Sequence, residues 1–318
     1  MVTISCGKFD LEVLSLEDPY AQHLMSSFKQ DSARLRNFIY STYSQDDNYI
    51  VADVGANIGL TSLLMADILP NAIIHAFEPA PDVYQILRRN ILSETSSIIP
   101  VNMAIADKED DVSFISNSAY GHITKGGAEG EKIQCKSLYD YAKSNKISKF
   151  DIVKVDVEGY ELDVFRGLKD ITDVVFFEFN PWCICSHYRG NPLEVLEEIM
   201  NDWTVYRFTT DLLLEREDCP NILTHDTIVY KSLDDFLAVR KSAADKWDSK
   251  IHLREHILED KISIESQSST FKKRSINNIS AKTSSRTASR RNFKSTLRST
   301  LDLIKKVKNR ISKLINRT

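Results

Sequence analysis

Ten residues, Ile50 to Gly59, reading IVADVGANIG, constrain this chain more than any other stretch. Ile50, Val51 and Ala52 suit a buried strand, and Asp53 closes the run. Gly55 and Gly59 then bracket a tight loop that holds Ala56 and Asn57, and apolar residues follow at helical spacing from Leu60 to Leu69. A strand, a glycine loop and a helix in that order open the ligand site of many α/β sheets. Glycine lets the backbone approach a ligand closely, and the free amides at the helix start attract negative charge. The same two glycines would also serve a plain strand–helix turn, so the weight falls on what lies in register with them.

Two downstream stretches do. Ala72 to Phe77 is mostly apolar and ends in Glu78. A carboxylate at the tip of the second strand, about two dozen positions past a glycine loop, is placed to accept both hydroxyls of a ribose. Ile152 to Val155 forms a further strand that runs into VDVEGYE, Val155 to Glu161. Three strand ends bearing acids converge on the carboxyl edge, where open α/β sheets bind their ligands.

The chain around these stretches keeps a regular alternation. Strands are expected over 50–54, 72–77, 98–103, 150–155 and 172–179, and helices over 60–68, 82–92, 137–145, 159–168 and 192–201. Strands near 203–208 and 225–231 finish the sheet, with room for an antiparallel pair. The pattern predicts a mostly parallel sheet with helices on both faces over 49–235. Ahead of it, residues 1–48 read as a small hairpin from Thr3 to Leu16 and one or two covering helices from Asp18 to Ser41. Asp107 to Glu131 breaks the rhythm, being polar and glycine-rich with a short strand at Val112 to Ile115. A long loop beside a site is more often functional than idle, so this one is expected to border the substrate.

With 42% hydrophobic and 27% charged residues in 318, the composition is that of a soluble globular protein. MVTISCGKFD lacks a basic start followed by an apolar core, so no signal peptide is expected, and no apolar run approaches a membrane span. The five cysteines are odd in number and scattered, which suits reduced thiols in the cytoplasm. A net charge of −4 hides an asymmetry: residues 271–318 hold 15 Lys or Arg against one acid, Asp302, leaving 26 basic and 44 acidic residues in the body. Past the sheet domain, the pattern predicts a charged surface helix over 236–265, a disordered Ser/Thr/Lys/Arg-rich linker over 266–299 and a basic amphipathic helix over 300–318. Such a helix would rest peripherally on an anionic membrane, here the inner face. Nucleic acid is the weaker partner, because only Phe271 and Phe293 offer stacking groups.

Together, VADVGANIGLTS (Val51 to Ser62), AFEPAP (Ala76 to Pro81) and VKVDVEGYELDVFRG (Val153 to Gly167) resemble the FkbM family of methyltransferases, over residues 45 to 210. The resemblance implies a Rossmann-like, seven-stranded methyltransferase sheet and S-adenosyl-L-methionine as cofactor. It further implies O-methylation of a hydroxyl, on a sugar of a glycan or a glycoside. Adenine is then expected beside VNMAIAD, Val101 to Asp107, with Asp107 accepting from its exocyclic amine.

Chemistry assigns the remaining parts of that cofactor. The amides of Gly55, Ala56, Asn57 and Gly59 suit the methionine carboxylate, Asp53 its ammonium and Glu78 the ribose. A hydroxyl is a poor nucleophile, so a nearby carboxylate must take its proton as the new bond forms. Strand alternation puts Asp156 and Glu158 on one side with Val157 opposite, which makes them the candidate catalytic pair. Glu158 has a second possible role as a cap on a helix starting at Gly159, and Glu161 is assigned to the local turn. Glu178 ends the fifth strand and could face the pocket; His122 and His187 are weaker bases. Cys183, Cys185 and His187 have metal-like spacing but lack a fourth ligand, Cys219 being distant, so no metal is expected. Two rivals stand beside this reading. One is an NAD-dependent oxidoreductase, against which GANIG lacks the G-x-G-x-x-G spacing. The other is a non-catalytic module that acts through its basic tail.

Overall fold

The structure, a computed structural model, describes residues 2–92, 97–115, 121–124, 130–208, 214–217 and 234–251. An antiparallel hairpin of β1 (Val2–Cys6) and β2 (Phe9–Val13) comes first, followed by helices α1 (Pro19–Asp31) and α2 (Ala33–Thr42). The alternation then begins with β3 (Ile50–Val54), α3 (Leu60–Ile68), β4 (Ile73–Phe77), α4 (Pro81–Leu92) and β5 (Ile98–Val101). Four short strands follow: β6 (Ala104–Ala106), β7 (Asp110–Ile115), β8 (His122–Thr124) and β9 (Glu131–Ser137). They form a sheet of their own, in the order β6-β9-β7-β8. The alternation resumes with α5 (Leu138–Ser144), β10 (Ile152–Val155), α6 (Glu161–Arg166), β11 (Val174–Phe179), the single turn α7 (Pro181–Cys183) and α8 (Pro192–Asp202). It closes with β12 (Trp203–Phe208), β13 (Leu214–Glu217) and β14 (Asp234–Arg240).

The main sheet has the order β13-β12-β14-β11-β10-β3-β4-β5. β5, β4, β3, β10 and β11 are parallel, and β14 runs antiparallel between β11 and β12. Six of the sheet's strands, β3, β4, β5, β10, β11 and β12, coincide with expected ones, and β14 and the edge strand β13, antiparallel to β12, complete the eight. The central parallel strands β3, β10 and β11 are buried on both faces, as the middle of a parallel sheet must be. In β3, Val51 belongs to a core shared with Phe38, Leu63 and Leu87 from helices α2, α3 and α4. Its neighbour Ala52, together with Val54, belongs to the opposite core with Leu138, Leu162 and Leu196 from α5, α6 and α8. Burying side chains of this size contributes about 1.5–3 kcal/mol each, and the two cores fix the register of the strand.

One prediction over the C-terminal part needs correcting. The charged helix expected over 236–265 begins as strand: Phe236 to Val239 are fully buried inside β14, where both faces are covered. An unbroken apolar run in a doubly covered strand carries no period of two, so spacing alone reads it as either element. The helical part occupies 244–251, where Trp247 stacks on Phe38 in the core. The strand expected near 225–231 lies outside the described residues, as do the rest of the 236–265 segment, the linker 266–299 and the basic helix 300–318. Among the described residues, no helix is long and apolar enough to cross a membrane.

Candidate active site

The carboxyl ends of β3, β4 and β10 open onto a cavity of about 250 Å³. Gly55, Ala56 and Asn57 line it from the glycine loop, Glu78 from the tip of β4, and Asp156 and Glu158 from the segment after β10. Six of the nine predicted site residues thus share one space.

The loop is shaped by what crosses it. A Cβ on Gly55, whose φ is +81°, would lie 1.8 Å from the carbonyl oxygen of Asp156, so only glycine lets the loop pass the end of β10. Asn57 also has a positive φ, +52°, at the apex. The amides of Gly55 and Ala56 both donate to the Phe77 carbonyl at 3.1 and 2.9 Å, and that of Asn57 donates to Glu78 at 2.9 Å. These three amides are therefore engaged in holding the loop on β4, which corrects their expected role as donors to a ligand carboxylate. What they leave at the cavity is the start of α3, where Thr61 lines the wall. The Oδ1 atom of Asn57 is buried and has no partner among the described residues.

Glu78 is buried, with one oxygen accepting from Asn57 N–H and the other from Ala80 N–H, each at 2.9 Å. Burial pushes its carboxyl up to about 7, against the pull of those two amides. A carboxylate has about four acceptor sites, so two remain for hydroxyls arriving from the cavity.

Three predicted residues stand elsewhere. Asp53 is fully buried beneath the loop and does not line the cavity. Its Oδ2 accepts from Ser62 Oγ at 2.6 Å, and its Oδ1 lies 3.6 Å from the ammonium of Lys154. The cation that Asp53 serves is thus one of the chain's own. Gly59, with φ +96°, meets Leu87 where a Cβ would be, so it seats α3 against α4 and does not reach the ligand space. Asp107 is exposed past the end of β6, and Met103, Ala104 and Ile105 line the wall in its place.

Lys154 was not among the predicted residues, although a lysine between two valines of a buried strand is an available signal. It is the register partner of Asp53 across β3 and β10. Its Nζ donates to the carbonyl of Gly55 at 3.3 Å and to Asp156 Oδ2 at 3.2 Å. Burial works against its charge, yet Asp156 and Asp53 outweigh that and hold its pKa above the ordinary value. Lys154 therefore ties the loop, the buried acid beneath it and the candidate base into one unit. Replacing it with methionine should cost about 3–5 kcal/mol, because Asp53 would be left as an uncompensated buried charge. A thermal or denaturant melt of Lys154→Met, alone and combined with Asp53→Asn, checks this. The double variant should recover a large part of the loss, and a single variant costing under about 1 kcal/mol would remove the unit from the account.

Glu158 and Asp156 do not keep strand alternation. β10 ends at Val155, Glu158 sits at φ +52°, and Val157 lines the same cavity. Glu158 is held from behind by the Cys183 thiol at 3.0 Å and Asn180 Nδ2 at 3.5 Å, and burial followed by Asp156 raises its pKa. It caps no helix, since α6 begins at Glu161. Glu161 accepts from Gly159 N–H at 3.0 Å and shapes the turn, with burial pushing its carboxyl up to about 8. Glu178 also lines the cavity, its pKa raised by burial and then by Asp156, Asp235 and Glu158. His187 turns its ring to the Glu158 carbonyl at 3.2 Å, while the side chain of His122 lies outside the described residues. Cys183 is engaged with Glu158 and Cys185 is exposed; among the described residues, no three His, Cys, Asp or Glu side chains group as metal ligands.

From above, Tyr20 and His23 of α1 and Phe114, Gly121 and Ile123 of the small sheet complete the lining. The covering helix and the glycine-rich segment thus both border the site, as their placement in the sequence suggested.

Comparison with known proteins agrees with this arrangement. A family model described as the methyltransferase FkbM domain matches residues 53–202. The hexuronic acid methyltransferase AglP of Haloferax volcanii is 31% identical over 151 residues, covering 47% of this chain and 60% of that protein. Methyltransferase sdnD of Sordaria araneosa is 30% identical over 173 residues, covering 41% and 64%. The chain thus spans less than two thirds of the length of either relative. Among solved structures, an O-methyltransferase from Bacillus cereus in complex with SAH aligns over 67% of this chain and 81% of its own, at 12% identity and a TM-score of 0.39, too distant to bear on the site. The segment that matches the methyltransferase FkbM domain, residues 53–202, carries the cavity's glycine loop and all four of its lining acids, Glu78, Asp156, Glu158 and Glu178.

Proposed function

We propose that the protein is an S-adenosylmethionine-dependent O-methyltransferase whose acceptor is a hydroxyl of a sugar in a glycan or glycoside. The observation that carries this is the sharing of one cavity by Glu78 and Asp156, an acid suited to a ribose and an acid suited to a proton. The residues present fit the cofactor. Glu78 keeps acceptor capacity toward the cavity, the orphaned Oδ1 of Asn57 offers an acceptor for an ammonium or hydroxyl, and Val54, Met103, Ile105 and Phe114 supply an apolar wall for a base. When bound, S-adenosylmethionine supplies an electrophilic methyl group for an in-line displacement.

The chain's own residues would then do the following work. Asp156, steadied by the Lys154 ammonium at 3.2 Å, accepts the hydroxyl proton of the acceptor as the nucleophile develops. Lys154 keeps its proton and holds the carboxylate's orientation. Glu158 and Glu178, both with raised pKa values, orient the acceptor through its other hydroxyls. Tyr20, His23 and Phe114 exclude water from above. AglP, a relative that bears a hexuronic acid methyltransferase name, supports the sugar as acceptor class.

Isothermal titration with S-adenosylhomocysteine and with NAD tests the cofactor. Micromolar binding of the first and none of the second is expected; the reverse would transfer the protein to the oxidoreductase reading.

A further inference from the structure

The chain has three tryptophans. Trp203 and Trp247 are buried, at 3% and 6% exposure, whereas Trp182 is 69% exposed. Leaving the largest apolar side chain in water forfeits burial energy, and indoles so placed commonly meet a ligand. Trp182 stands in α7, immediately past the carboxyl end of β11, on the same edge as the cavity.

The segment that carries it is held firmly to the site. Asn180 Oδ1 accepts from Cys183 N–H at 3.1 Å, and the Cys183 thiol donates to the Glu158 carboxylate at 3.0 Å. Gly159, at φ +105°, packs so closely that a Cβ there would lie 2.7 Å from the Cys183 carbonyl carbon. The next residues, Ile184–Tyr188, form a π-helical turn, a geometry that often marks functional sites. That turn brings the His187 ring edge-on to the indole, with centroids 5.4 Å apart, while His187 Nδ1 lies 3.2 Å from the Glu158 carbonyl. Trp182 is therefore one ring away from the backbone of Glu158, a residue that lines the cavity.

We infer that Trp182 is the platform on which the acceptor sugar is laid, and so a specificity-determining residue; the inference rests on the sugar O-methylation proposed above. A pyranose has an apolar C–H face and a rim of hydroxyls. The indole takes the face, and Glu158 and Glu178 accept from the rim, a combination that an aliphatic alcohol or an inorganic anion could not use.

The full chain loaded with S-adenosylhomocysteine is titrated with methyl glucopyranoside, methyl galactopyranoside and methyl glucuronoside while acrylamide quenches its tryptophan fluorescence. Trp182 is the exposed indole of the three, so it dominates the quenching. At least one glycoside should shield it, and the shielding should vanish in Trp182→Phe, which lacks the reporter. In methyl-transfer assays with that glycoside, Trp182→Ala should raise KM roughly tenfold with little change in kcat. Trp182→Phe should recover most of the loss, and S-adenosylhomocysteine affinity should not change in either variant. Absence of shielding by every glycoside, or an unchanged KM in Trp182→Ala, overturns the platform even if another hydroxyl compound is methylated. Shielding without methyl transfer to any sugar leaves the platform standing and refutes the sugar O-methylation reading instead.

Discussion

Replacing Glu78 by alanine should abolish measurable S-adenosylhomocysteine binding. The carboxylate would accept both ribose hydroxyls, and hydrogen bonds to a charged acceptor are worth about 1.5–3 kcal/mol each. Losing two weakens Kd by at least about a hundredfold. The loop also suffers, because Asn57 and Ala80 lose the acceptor that their amides share. Titration calorimetry across pH adds a signature that simple unfolding would not give. With its carboxyl near 7 in the free protein, Glu78 must ionise to accept two hydroxyls, so the affinity of the wild type should weaken as pH falls through 7. The sign for folding is opposite. A carboxyl raised from 4.5 to about 7 by burial favours the folded state fully below 4.5, and that stabilisation is lost as pH rises through 7. The rise in Tm produced by S-adenosylhomocysteine should therefore grow between pH 6 and 8. A Tm gain that is flat with pH, or Glu78→Ala that binds as the wild type does, would remove the carboxylate from the ribose.

The second large effect is expected at Asp156. Asp156→Asn preserves size and the hydrogen-bonding reach toward Lys154 but cannot accept a proton. Loss of a general base lowers rates by about 10²–10⁴-fold, and the loss should fall on kcat. Binding of S-adenosylhomocysteine should stay within about threefold of the wild type, since the ribose acid is untouched. Glu158→Gln serves as the comparison. Held by Cys183 and Asn180 at a positive φ, Glu158 is placed to orient the acceptor, so its loss should appear mainly in KM. Steady-state kinetics with radiolabelled methyl donor separates the two. If Glu158→Gln shows the large kcat loss and Asp156→Asn does not, the roles are exchanged.

Much of this site was legible in the sequence because it depends on strand ends. A buried strand, two glycines and an acid at a fixed distance are local features, and β3, β4 and β10 place them where the spacing predicts. What the sequence concealed depends on packing. Asp53 reads as a ligand acid until its register partner Lys154 is seen beside it, and pairing between β3 and β10 joins residues 101 positions apart. Asp107 follows a strand as Glu78 does, but β6 leaves the main sheet for the small one, so the residue after it turns out to solvent. Glu158 breaks alternation because Gly159 must dock on Cys183, a contact formed only in the folded chain. β14 escaped for a related reason: covered on both faces, it shows no alternation from Phe236 to Val239.

The most direct measurement is a crystal structure of the full chain with S-adenosylhomocysteine. The ribose hydroxyls should lie within hydrogen-bonding distance of the Glu78 carboxylate, with the sulfur directed at Asp156 across the cavity. A ligand whose ribose points away from Glu78, or one bound at another edge of the sheet, would contradict the account.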